Sequence, residues 1–376
     1  MIFLANCNPK NEKDKNHYVI PLAENISNLN EIKCSSIIDQ FEYIQLETNE
    51  KCLIPNEYQV IILRNHILIY SVRFCYVFER KTGKFLCELG KYGRGPEEYN
   101  NSLLAYDYGN SVVYSGGSDR NIMMFGLDGK YIRSFPGPPQ KGGMEAPSLI
   151  THYSYLPDSC IVGYYSNILG IETKLLTIFN QKGEIIKTFP NKNVYPKQPL
   201  KMLDLTEGQF YFTGNNTYFK ERSCDTVFRV RKESLSPHLI FETGKYTVPY
   251  QYKWMTFEER EKGDYIIVNK IFENSSFVYI LAEKKSDDYF AFYNKRTGKI
   301  AVNRNVEGIP NDIDNFISFN PENMDEDGNL VEIIDATKIS IWFKENPSKI
   351  SERTEVLSKV DISQNPIVVI GKTNIW

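Results

Sequence analysis

Apolar positions along this chain come in short runs separated by polar turns. Phe41-Glu42-Tyr43-Ile44-Gln45-Leu46-Glu47 alternates apolar and polar, the pattern of a strand with one buried face. Val60–Leu63 and Ile67–Tyr70 are unbroken apolar runs on either side of Arg64-Asn65-His66, which reads as a hairpin turn. Cys75–Tyr99 then reads as a strand, a tight turn at Thr82-Gly83-Lys84, a second strand and a Gly-Pro loop.

That hairpin recurs. Ile122–Phe135, Leu175–Phe189 and Tyr289–Val302 each show a strand, a polar turn with a glycine suited to positive φ, and a second strand. The turn glycines are Gly83, Gly129, Gly183 and Gly298, and the last interval is about twice the earlier ones. Val227–Phe241 fills the gap as a copy without its glycine. A period of roughly 40–55 residues with about four short strands per unit is the signature of propeller blades. Strands without long helices between them exclude a doubly wound α/β fold. The predicted architecture is all-β, a six-bladed β-propeller over residues 36–376. Its sixth blade combines the N-terminal strand Phe41–Glu47 with the C-terminal strand Pro366–Ile370, which covers two otherwise bare edges.

Two short helices are expected in the later blades. Thr256–Gly263 carries a capping box, Thr256 with Glu259, and a terminal glycine. Asn346–Val360 has an N-cap candidate, a proline in its first turn, and apolar Ile350, Leu357 and Val360. Gly308–Leu330 reads as an acidic loop. Residues 8–35 are polar and weakly patterned, so 1–35 reads as a tether.

Composition sharpens the picture in three places. Aromatic residues are 13% of the chain, with 25 Tyr and 22 Phe, which suits pleated, half-buried surfaces. A net charge of -3 with no basic run gives no support for a nucleic-acid partner. The seven cysteines form no C-x-x-C and only four His are present, so no zinc site is expected. Cys75 and Cys87 flank one hairpin turn and read as small apolar residues of a sheet. No apolar run is long enough to span a bilayer. Met1–Cys7 is apolar, ends in cysteine and turns polar at Asn8, like the tail of a bacterial lipoprotein signal in which Cys7 is lipidated. Asn6 departs from the small residue usual there, and the basic start is missing. A start codon set too far downstream accounts for the short signal. The alternative, with the N-terminus complete as it stands, is a cytoplasmic protein.

Phe78-Glu79-Arg80-Lys81-Thr82-Gly83-Lys84-Phe85, followed by Gly93-Arg94-Gly95-Pro96-Glu97-Glu98-Tyr99 and the terminal Asn365-Pro366-Ile367-Val368-Val369, resembles six-bladed β-propeller proteins of Bacteroidetes, many of them lipoproteins and relatives of the NHL-repeat propellers. The likeness runs from about Ser36 to the end, and the Gly93–Tyr99 loop is its specific motif. It implies the propeller fold, a place in the bacterial cell envelope, and lipidation of Cys7.

Local motifs for chemistry are sparse. Gly93–Glu98 lacks the Lys-Ser/Thr and the helix of a phosphate loop, and reads as a lock between the first two blades, with Arg94 free to project. Asp325–Asn329 is an incomplete calcium loop and reads as an exposed acidic turn. No Gly-x-Ser-x-Gly or His-Glu-x-x-His pattern occurs. Tyr114, Asp119, Arg120 and His152 fall near predicted strand ends and are candidate ligand-binding residues at one channel mouth, and Arg94, projecting from a blade connection, is a further candidate. No catalytic residue, metal ligand or cofactor is expected. The function expected is non-catalytic binding of a protein partner or a small extracellular ligand. The alternative is an NHL-propeller-like lyase or hydrolase with a metal at the channel mouth, which would need at least three His, Asp or Glu side chains converging there. Mass spectrometry of the protein made with its genomic upstream sequence is expected to show an acylated Cys7; an unmodified cytosolic product would contradict the anchor.

Overall fold

The structure, a computed structural model, describes residues 17–373 apart from 101–102, 140–147 and 200–206. Six sheets surround a central channel, as the hairpin period predicts. From the channel outwards, blade 1 is Gln59–Ile62, His66–Tyr70, Cys75–Glu79 and Phe85–Glu88. Blade 2 is Leu103–Asp107, Val112–Gly116, Asn121–Gly126 and Tyr131–Pro136, and blade 3 is Ile150–Leu156, Cys160–Tyr165, Lys174–Phe179 and Ile185–Pro190. Blade 4 is Gly208–Thr213, Asn216–Glu221, Thr226–Val230 and Leu235–Phe241, and blade 5 is Ile266–Glu273, Phe277–Lys284, Asp287–Asn294 and Ile300–Arg304. The recurrent hairpins are the two outer strands of blades 1 to 5.

Blade 6 closes the ring from both chain ends. Asn323–Met324, Leu330–Ile334 and Ile367–Thr373 come from the C-terminal part, and Ile38–Gln45 from the N-terminal part forms the outermost strand. It pairs antiparallel with Ile367–Thr373 from Ile38↔Thr373 to Gln45↔Ile367. Asn365 secures this seam. Its buried Nδ2 donates to the carbonyls of Glu47 (2.7 Å) and Cys52 (2.8 Å), and its Oδ1 accepts from the Ile54 amide (2.9 Å). Gly83 sits at φ +69°, and a Cβ there would collide with the Gln45 carbonyl, so the first blade rests directly on the closing strand. The Glu47 amide donates back to the Gly83 carbonyl at 2.8 Å.

The middle strands read as unbroken apolar runs because both of their faces are buried. In blade 1, Ile67 and Ile69 pack against blade 6, whereas Leu68 and Tyr70 pack against blade 2. In blade 6, Val368 and Ile370 face blade 1, and Ile367 and Val369 face blade 5. The apolar core is thus divided among the blade-to-blade interfaces. Tyr99, at the end of the Gly93–Tyr99 loop, is 2% exposed within the interface of blades 1 and 2 and meets Phe125 edge-on. The loop is held inside by Glu98, which accepts from the Gly95 amide at 2.8 Å.

Three expectations change. The tether reading for 8–35 gives way to integrated structure from Tyr18. Strand Tyr18–Ile20 adds parallel to Leu235–Phe241 as a fifth strand of blade 4. Ile20, Leu22 and Ile26 then enter the interface of blades 4 and 5, and Ile32, Cys34 and Ile37 that of blades 5 and 6. The segment straps three blades on its way to the closing strand. The second helix lies at Ala336–Glu345, not at 346–360. Ile339 and Phe343, four residues apart, are its buried pair, and the hydroxyls of Ser351 and Thr354 bond locally within the predicted segment, where they compete with helix. The first helix, Phe257–Lys262, carries the expected capping box. Asp325 is buried, not exposed: it pairs with Arg80 of blade 1 at 2.6 Å, the two side chains 0% and 8% exposed. Its Oδ1 accepts from the amides of Asp327 and Asn329, so it shapes the turn as it ties blade 6 to blade 1. Cys75 and Cys87 both lie in the blade 1 sheet, as their sequence reading has it, with Cys87 opposite Val77.

Removing one partner of a buried ion pair leaves the other charged and unpaired. Asp325→Ala is therefore expected to lower unfolding free energy by about 3 to 5 kcal/mol, read from urea denaturation, while Asp327→Ala on the exposed part of the same turn costs under about 1 kcal/mol. Equal effects of the two would contradict the assignment of Asp325 to the seam.

Candidate functional site: the central channel

Inner strands meet around the propeller axis, where the chain has no further blade to pack against, and leave a cavity of about 1720 Å³. It is lined by the innermost strands of blades 1, 4, 5 and 6 and by Tyr106 and Tyr108 of blade 2, and it spreads outwards over the blades to Leu127 of blade 2, Arg229 and His238 of blade 4, Lys295 of blade 5 and Tyr18. Among the described residues blade 3 contributes none. The reason is a ring contact: Tyr108 of blade 2 stacks on Phe212 of blade 4, centroids 4.3 Å apart and planes within 5°, and so spans the inner edge of blade 3.

The chemistry concentrates at two places on the wall. Between blades 4 and 5, Glu273 ends the innermost strand of blade 5 and is 3% exposed. Its Oε1 lies 2.6 Å from His238 Nε2 and accepts from Lys295 Nζ at 2.6 Å, and its Oε2 accepts from the Tyr211 hydroxyl at 2.7 Å. Burial pushes the Glu273 carboxyl up, but the His238 hydrogen bond and the Lys295 charge outweigh it and hold the group below the usual carboxylate value. A row of rings backs this cluster. Tyr211 stacks on Tyr218 at 5.0 Å, Tyr218 lies 4.2 Å from His238, and Tyr18 meets His238 edge-on at 6.0 Å. Lys295 sits 5.4 Å over the Tyr18 ring. Arg229 donates to the Tyr218 hydroxyl at 3.2 Å.

Across the channel, the turn of blade 6 meets that of blade 1. The Arg64 amide donates to Glu326 Oε2 at 3.1 Å and its guanidinium pairs with Asp327 at 3.4 Å. Burial pushes the Glu326 carboxyl up. Lys270 of blade 5 pairs with Glu322 ahead of blade 6 at 3.4 Å. Among the described residues no group of three His, Cys, Asp or Glu converges as a metal site would require.

The residues singled out from sequence lie elsewhere. Arg94 is exposed on the connection between blades 1 and 2. Tyr114 is 1% exposed, donates to Asp107 at 3.1 Å and accepts from Gln181 at 3.0 Å, all inside the wall of blades 2 and 3. Asp119 and Arg120 lie on the turn Ser118–Arg120 of blade 2, Arg120 with φ +64°; the Asp119 side chain is outside the described residues. His152, on the innermost strand of blade 3, is half-buried, its Nδ1 2.9 Å from the Thr151 hydroxyl. Arg94, Tyr114, Arg120 and His152 are not brought together, and none of these four lines the cavity. Cys7 lies outside the described residues. The sequence does not announce Tyr18, Tyr211, His238, Glu273 and Lys295 as a group, because each sits in a different strand or turn. Tyr18-Val19-Ile20, an aromatic and β-branched triplet in a polar stretch, was the one available signal.

The fold and its channel define a six-bladed propeller with a polar, tyrosine-rich axial cavity. The chain belongs to the family described as a domain of unknown function, DUF4934, whose sequence model matches residues 17–372. Among solved structures it is similar to a Bacteroides fragilis protein inferred to be exported, with 16% identity, a TM-score of 0.68, and coverage of 96% of this chain and 99% of that one. It is also similar, at TM-score 0.40 and 10% identity, to a Bacteroides caccae protein of unknown function, covering 67% of this chain and 84% of that one. No curated protein matches the sequence.

Because the folded Glu273 carboxyl is held below its ordinary value, the stability it contributes is complete above the ordinary carboxylate range and is lost as pH falls through the lowered value. Glu273→Ala strands Lys295 and His238, and is expected to cost about 3 kcal/mol at pH 7. In urea melts the gap from wild type should shrink below about pH 4; a gap that stays constant with pH would contradict the pairing.

Proposed function

We propose that this protein is an exported propeller that holds a small soluble ligand in its axial channel without transforming it. The observation that carries this reading is the cavity itself. It is preformed, about 1720 Å³ in volume, and walled by aromatic rings and carboxamides from five blades. A ring of blades locked to one another spends little order on binding, which favours affinity for a small molecule. Both lysines at the wall are held in pairs, Lys295 with Glu273 and Lys270 with Glu322, an arrangement suited to keeping a cavity rigid and open.

Export is supported by the likeness to the Bacteroides fragilis protein. Among the described residues no helix is long and apolar enough to cross a membrane. Anchoring through Cys7 belongs to the same proposal. An extended chain from Cys7 to Tyr18 spans at most about 40 Å, so a lipidated Cys7 would keep blade 4 close to the membrane surface.

The test is retention. The protein is incubated with a mixture of small polar metabolites, separated by gel filtration and assayed by mass spectrometry, beside an Asn269→Trp variant. Asn269 is an exposed residue of the innermost strand of blade 5 that lines the channel, so the indole fills space with little effect on the blade. Wild type is expected to retain a compound that the variant loses. Retention of nothing, or identical retention by both, would overturn the reading.

A further inference from the structure

Resting on the channel-binding reading above, we infer that the ligand is a neutral, polyhydroxylated molecule: a saccharide, and an oligosaccharide rather than a single sugar. Three observations carry this.

The first is charge. Each lysine or arginine that lines the cavity already has a partner in the wall: Lys295 with Glu273, Lys270 with Glu322, Arg64 with Asp327, and Arg229 with the Tyr218 hydroxyl. Carboxylates outnumber these cations in the lining. An anionic ligand would have to break existing ion pairs in a cavity whose net field repels it.

The second is the character of the neutral wall. Carboxamides at Asn56, Gln59, Gln209, Asn269 and Asn323 face the cavity from blades 1, 4, 5 and 6. A carboxamide both donates and accepts, which matches a hydroxyl group that also does both. Tyr70 donates to Gln59 Oε1 at 2.7 Å, which leaves the amino end of that carboxamide to donate to a ligand. Tyr58, Tyr211, Phe210 and Phe272 bring aromatic rings to the same wall. A sugar ring presents C–H groups on its faces and hydroxyls at its edge, so it can pack on a tyrosine while its rim meets amides.

The third is size. A volume of about 1720 Å³ is larger than a pocket shaped for one drug-sized molecule, roughly 300–1,000 Å³. The channel has room for several linked rings.

The test is isothermal titration calorimetry on the full chain. The probes are neutral cello-, malto-, xylo- and galacto-oligosaccharides, with polygalacturonate oligomers, spermidine and diglycine beside them. The expected result is binding of at least one neutral series, with an affinity that changes less than about twofold between low and high NaCl. Asn269→Leu and Asn56→Leu remove exposed carboxamides that line the cavity without moving a core residue. They are expected to weaken that binding by about tenfold or more while the melting temperature holds. Salt-sensitive binding of polygalacturonate or spermidine with no neutral sugar bound would overturn the inference of a neutral saccharide and leave the channel-binding reading standing. Failure of every neutral sugar also overturns it, and if the retention experiment is empty as well, the channel-binding reading falls with it.

Discussion

A propeller is a sheet stack that must meet itself, and in this chain everything rests on the seam where strand Ile38–Gln45 docks along Ile367–Thr373. Without that strand, blade 6 would end on a bare edge, and blade 1 would lose the contacts of Ile44 and the Gln45 carbonyl on which its first turn rests. The seam is reinforced from several directions. Asn365 fastens the connection between blades 6 and 1 through side-chain bonds to Glu47, Cys52 and Ile54. Gly83 lets the first hairpin turn lie on the closing strand. The buried pair of Arg80 and Asp325 crosses from blade 1 to blade 6. The strap from Tyr18 to Ile37 runs along blades 4 and 5 into blade 6, so the closing strand arrives already held.

Closure explains the distribution of residue types. Because each blade is buried on both faces, apolar residues fill the interfaces and polar ones are left for the rims and the axis. At the axis the inner strands cannot pack on anything, and their exposed positions carry amides, tyrosines and paired charges. The stack of Tyr108 on Phe212 breaks the ring's symmetry by covering blade 3, so that the cavity opens toward blades 4, 5, 6 and 1. The site is therefore a property of the closed ring rather than of any one blade, and a chain that failed to close would have no channel wall.

This is also why the fold was legible in the sequence and the site was not. The outer hairpins announce themselves through a glycine that needs positive φ and through a period of blade length. Gly83, Gly129, Gly183 and Gly298 all adopt it. The Gly93–Tyr99 loop was read as a lock between blades, and Tyr99 is buried in that interface. The helix placed at 346–360 failed for a local reason: Pro347 stands after the real helix rather than at its start, and Ile350 and Val356 point to solvent. Strand Tyr18–Ile20 is too short to show periodicity and pairs with a strand more than two hundred residues away. Glu273, His238, Lys295, Tyr211 and Tyr18 come together only once blades 4 and 5 are docked, so no spacing in the sequence could join them. Tyr114 looked like a mouth residue because it sits near a strand end, but its strand is the second from the axis and its hydroxyl bonds within the wall.

The most direct test of this account is native-state hydrogen exchange across the seam. If closure by the N-terminal strand holds the ring, the amides of Ile38–Gln45 that pair with Ile367–Thr373 exchange only through global unfolding, with the same free energy as the middle strands of blades 1 and 5. Exchange of those amides through local fraying, while the other blades stay protected, would show that the ring persists without its seam and would contradict the account.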